Sequence, residues 1–133
     1  MAVFSNAAEH QYQRRVAEYL RIHYGQVRVQ NGSGSVTLAQ LTKSTFELFV
    51  AFGMARAQKY GIRHQAGIAA FIALSFLVGP TFDENPVVNA ELKREDVPDH
   101  GRMDHLCAVI PSSVWANVRA CYDAAGWPST GTL

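Results

Sequence analysis

Asp99, His100, Asp104 and His105 form the one dense grouping of side chains in this chain that could hold a metal or move protons. Imidazoles and carboxylates ligate zinc and other divalent ions, and a histidine beside a carboxylate is a familiar acid–base pair. The spacing disfavours that chemistry. His100 and His105 are five residues apart, so on a continuous helix they point about 140° away from each other, whereas helical metal-binding histidines sit four apart on one face. Residues 95–101, EDVPDHG, read as a loop, which makes the cluster a solvated loop running into a helix start. A small metal-dependent enzyme built on His100, Asp104 and His105 stands as the alternative reading. The main reading expects no metal or cofactor.

The remaining candidates point towards architecture. Asp83 and Glu84 with Asn85 could hold a cation or act as paired carboxylates, but a calcium loop needs more oxygens at alternating positions and a glycine that is missing. Capping of the following helix explains them more economically. Cys107 and Cys121 fall on apolar helical faces with no base beside them, so they read as small core hydrophobes. Ser112 and Ser113 read as helix caps, and no GxSxG elbow is present. The NGSGS stretch, residues 31–35, lacks the lysine and spacing of a phosphate-binding loop. His64 opens an apolar helix. His10 and His23 lie on the first helix, with His23 half-buried near its C-terminus, where a cation suits the dipole. No enzyme constellation emerges.

The elements that carry these residues follow from periodicity and caps. Asn6 with Glu9 forms a capping-box variant, and Tyr12, Val16, Tyr19, Leu20 and His23 recur at helical spacing until Gly25. Residues 26–36 alternate Val27 and Val29 with polar residues and then turn, as either a short β-hairpin or a loop. Thr37-x-x-Gln40 and Ser44-x-x-Glu47 are both capping boxes, giving one helix over 38–60 or a short one that yields to a longer one near Lys43 and Ser44. Its expected apolar stripe is Leu41, Thr45, Leu48, Phe49, Phe52 and Ala55. Tyr60-Gly61 ends it.

From Ala66 to Gly79 the chain carries no charge, and Pro80 stops the pattern. Fourteen residues at helical rise span about 21 Å, short of the roughly 30 Å hydrocarbon core of a membrane. With Ile68, Phe71, Ile72, Leu74, Phe76, Leu77 and Val78 around nearly its whole circumference, the helix over 66–78 has no good solvent face and should be a central core helix. Asn85 as N-cap and Pro86 at the first helical position open a short helix through Val88 and Leu92. Met103, Leu106, Cys107 and Ile110 mark another. Pro111 leads into a last one, whose face holds Val114, Trp115, Val118, Cys121 and Tyr122. Residues 125–133 read as a frayed tail.

The expected fold is therefore all-α, one helical domain over residues 1–133, with about five or six helices bundled around 66–78. The formal net charge of +1 gives no general drive towards nucleic acid. Two cysteines fit a reducing compartment, and the N-terminal residues lack the pattern of a secretory signal, so a cytoplasmic protein without a membrane span is expected.

Residues 55–62, ARAQKYGI, followed by the apolar helix and residues 78–86, VGPTFDENP, resemble a group of small helical bacterial proteins. In these an RA-x-x-YGI turn precedes an apolar helix and a GP-x-FD-x-x-P turn. Family members often carry a tryptophan shortly after the last proline, where this chain has Val87-Val88-Asn89-Ala90. The family is encoded near type VI secretion genes for spike proteins, tip proteins and effector adaptors. The resemblance implies a non-catalytic accessory role: a chaperone, adaptor or immunity protein that holds a secreted effector or spike component. Within the motif, Tyr60, Gly61, Gly79, Pro80, Phe82, Asp83 and Pro86 look architectural. Interfaces draw their energy from a few large anchors, and Tyr12, Arg15, Trp115, Arg119 and Trp127 are the candidates. A structural homo-oligomer, in which a second copy completes the apolar helix, is the remaining alternative.

Overall fold

A computed structural model describes residues 2–31 and 34–121, with side chains for 11–28, 36–99 and 101–121. Six α-helices account for most of it: α1 (Ala2–Tyr24), α2 (Lys43–Lys59), α3 (Gln65–Val78), α4 (Pro86–Leu92), α5 (Asp99–Val109) and α6 (Ser112–Ala120). The all-α bundle read from the sequence is the fold observed. Between α1 and α2 the hairpin alternative holds. Strands β1 (Arg28–Asn31) and β2 (Gly34–Thr37) pair antiparallel, with Val29 opposite Val36.

The apolar helix is α3, and it contacts α1, α2, α5, α6 and β1. Ile68, Ala69, Phe71, Ile72, Ala73, Phe76 and Val78 are all buried. It does keep a narrow outer line: Ala66, Ala70 and Leu74 are half-buried, and Leu77 is 42% exposed. The expectation of no solvent face is corrected to that extent. Around α3 gather Val16 and Leu20 from α1, Phe46 to Ala57 from α2, Val88 and Leu92 from α4, Met103 and Leu106 from α5, and Val118 from α6.

Local signals placed most boundaries. Thr37 N donates to Gln40 Oε1 at 2.8 Å, and a 3-10 turn over Leu38–Gln40 precedes α2, so the two-helix alternative is the real one. Gly61 adopts φ +79 just past α2, a left-handed conformation that a side chain would strain. Asn85 caps α4, its Oδ1 accepting from Val87 N at 3.0 Å and Val88 N at 3.3 Å, with Pro86 first in the helix.

Other boundaries are corrected. Helix α1 starts at Ala2, upstream of the expected Asn6 cap, because residues 2–5 contain no helix breaker. Thr42, not Ser44, caps α2, accepting from Thr45 N at 3.3 Å. Helix α5 already begins at Asp99, so residues 99–101 are helical, with extended Pro98 before them. Pro111 takes the N-cap position of α6 and Ser112 is its first residue; a fixed φ of −63 suits proline there.

The buried face of α2 also differs from the expected stripe. Phe46, Phe49, Val50, Gly53, Met54 and Ala57 point inward, while Ala55 is exposed and Leu48 and Phe52 are half-buried. Cys107 and Cys121 are exposed, not core, and His23 is exposed, its ring tilted against Tyr19 with centroids 4.3 Å apart. Among the described residues no helix is long and apolar enough to cross a membrane.

Candidate functional site

The family-like motif closes on itself. Arg56 and Tyr60, one helical turn apart on α2, both reach the carboxylate of Asp83, which sits in the short 3-10 turn Phe82–Glu84 and is fully buried. Arg56 Nε donates to Oδ1 at 3.0 Å, and Nη2 donates to Oδ1 at 2.8 Å and Oδ2 at 2.9 Å. Tyr60 Oη donates to Oδ2 at 2.7 Å and accepts from Asn89 Nδ2 at 3.1 Å. Asn89 Nδ2 also donates to the Asp83 carbonyl at 3.2 Å, and exposed Glu84 takes a further bond from Arg56 at 3.1 Å.

Both carboxylate oxygens of Asp83 accept from donors, which is what a buried charge requires. Burial lowers the pKa of Arg56, but its bonds to Asp83 and Glu84 outweigh that and hold it above the ordinary value. Tyr60 is pushed up to about 12, first by burial and then by its bond to Asp83. A phenol so disposed is a hydrogen-bond donor and a poor proton donor to any substrate. Below the cluster runs an aromatic chain: Tyr60 to Phe71 at 6.2 Å, Phe71 to Phe82 at 4.9 Å, and Phe82 to Trp115 at 6.3 Å. Asp83 is therefore an internal ion-pair residue, correcting its expected role as a helix cap.

A second tie fastens α5 to the end of α2. Arg102 donates to the Tyr60 carbonyl and, at 2.9 Å, to the Val97 carbonyl. Asp99 accepts from Arg63 N at 3.1 and 3.2 Å, and Tyr12 Oη donates to the Arg63 carbonyl at 2.5 Å. Burial raises the Tyr12 pKa, with Asp99 adding to the effect.

Of the expected metal residues, His105 Nε2 lies 3.0 Å from Glu91 Oε1, Asp104 is exposed, and the His100 side chain lies outside the described residues. Among the described residues no three His, Cys, Asp or Glu side chains gather as a metal site. The Cys107 thiol is pushed up by partial desolvation and by Asp104, the opposite of what a thiolate nucleophile needs.

The expected protein-binding anchors fall in two places. Tyr12 and Arg15 share α1, with the Arg15 guanidinium 5.7 Å from the Tyr12 ring. Tyr12 is half-buried and Arg15 exposed. Trp115 and Arg119 share α6, Trp115 half-buried against Phe82 and Arg119 exposed. Trp127 lies outside the described residues.

Sequence reasoning missed the concavity between α1 and the start of α2, about 740 Å³, lined by Gln13, Arg14, Ala17, Glu18, Arg21, Lys43, Phe46 and Glu47. Arg14, Arg21, Lys43, Glu18 and Glu47 are exposed, and the Arg21 guanidinium carbon lies over the Phe46 ring, 4.4 Å from its centroid. Gln13 Nε2 donates to the Glu47 carbonyl at 3.3 Å, tying the two walls together. A smaller recess of about 200 Å³ lies between the Gly79-Pro80 turn and α6. No family model matches this chain, and no curated protein and no solved structure is significantly similar to it.

Proposed function

We propose that this chain is a non-catalytic, protein-binding accessory factor of a bacterial secretion or toxin system, of the chaperone, adaptor or immunity type. One observation carries the non-catalytic part of this reading. Arg56, Tyr60 and Asp83, three polar residues of the motif, spend hydrogen bonds on one another inside the fold. Such a cluster stabilises a helix bundle and leaves no activated group facing a substrate. What the described surface turns outward is charge and a groove, the materials of a binding face. The link to secretion rests on the resemblance over residues 55–86.

The test is to express the tagged protein in its bacterium of origin and identify what co-purifies. A toxin, effector or spike component recovered at near-equal stoichiometry is the expected result. Partner-free protein carrying stoichiometric metal that is lost in His100→Ala and His105→Ala would transfer the proposal to the enzyme alternative. A partner-free assembly by light scattering would transfer it to the homo-oligomer.

A further inference from the structure

We propose that the groove between α1 and α2 is the docking surface and that its occupant is an acidic peptide segment of the partner, carrying an aromatic or aliphatic side chain. This rests on the protein-binding reading above and names its site and chemistry. Its size falls in the usual range of ligand-binding concavities, about 300–1,000 Å³.

Charge decides the occupant. Residues 11–63 hold eight of the chain's twelve Lys and Arg residues but only two acidic ones, Glu18 and Glu47. Among the described residues, Arg56 is the one member of that basic set held in a salt bridge. Arg14 precedes Glu18 by four residues and Lys43 precedes Glu47 by four, the weaker order for helical ion pairs, and neither pair is made. Arg14, Arg21 and Lys43 thus stand around the groove with their charges open to a ligand. The lining holds three cations to two carboxylates and lies in the basic stretch over residues 11–63, so the local excess of positive charge draws an acidic segment towards it.

The two carboxylates select a peptide over a nucleic acid. Glu18 and Glu47 can accept from peptide N–H groups, donors that a phosphate backbone lacks, while the acidic side chains of the peptide meet Arg14, Arg21 and Lys43. The Arg21 guanidinium over the Phe46 ring is a planar cation against which an aromatic side chain can pack.

The experiment pans a phage-displayed library of random peptides against the immobilised full-length protein, then measures binding of the enriched peptide by fluorescence anisotropy. We expect enriched peptides to carry Asp or Glu around an apolar residue. Their binding should weaken about tenfold or more in Arg14→Glu combined with Lys43→Glu, and should fall as salt rises. Both residues are exposed, so the double variant should retain its helical circular dichroism and melting temperature; Arg119→Glu on α6 serves as the control. No enrichment, peptides without carboxylates, binding unaffected by the double variant, loss with Arg119→Glu instead, or tighter binding of single-stranded DNA would each overturn the proposal. If the double variant still co-purifies the natural partner, this surface is wrong while the accessory role stands.

Discussion

Asp83 has no solvent contact, and its carboxylate is bonded to Arg56 and Tyr60. Removing one partner of a buried ion pair is costly because it strands the other charge. Asp83→Asn keeps the shape and an acceptor for Tyr60 but leaves Arg56 with only exposed Glu84. We expect it to lose about 3 kcal/mol, read as a lower urea midpoint with unchanged slope. Tyr60→Phe tests the other bond and a pH dependence. The folded-state pKa of Tyr60 is raised from 10.0 to about 12, so its contribution is fully present below pH 10 and is lost as pH climbs towards 12. Stability should therefore fall over that window in the parent protein and fall less steeply in Tyr60→Phe. Tyr12 and Tyr24 are also raised, chiefly by burial, so some alkaline slope should remain in the variant.

Helices α2 and α3 pack along their length, and Gly53 is a point of close approach between them. A methyl group added to Gly53 would come within 2.7 Å of Ile72 Cγ1, and Ile72 is fully buried and β-branched, with little room to rotate. Alanine improves helix propensity by about 1 kcal/mol, but overpacking costs about 1–3 kcal/mol. Gly53→Ala should therefore be neutral to destabilising. Because both changes act on one contact, Gly53→Ala combined with Ile72→Ala should cost less than the sum of the two single variants in urea titrations. Element boundaries were legible in the sequence where one residue decides them: Gly61 ends α2, Asn85 and Pro86 open α4, and Pro80 follows α3. The inward face of α2 was not, because Phe46, Phe49, Val50, Phe52 and Met54 leave it apolar on most sides. There the partner helix chooses the rotation, through the fit of Gly53 against Ile72. The ion pair was equally hidden, since Arg56 and Asp83 are 27 residues apart. Its faint sequence sign was Arg56 and Tyr60 four apart on one helical face, ahead of an acidic turn.

The molecule as a whole is electrically lopsided. Four Lys or Arg residues share residues 64–121 with seven carboxylates, against the basic excess of residues 11–63. A net charge of +1 conceals this division, which is why composition did not point to a binding face. The concavity was also invisible in the sequence, because its walls come from two helices separated by the hairpin. The clasp between Arg56 and Asp83 has a further effect at this scale. It joins the chain on either side of α3 and so encircles the most water-averse stretch of the protein. In a cell, opening of the clasp releases both flanks of that stretch and exposes its buried side chains to chaperones, proteases or other unfolded chains. A weakened clasp should then shorten the protein's lifetime and promote clumping before it disturbs any surface used for recognition.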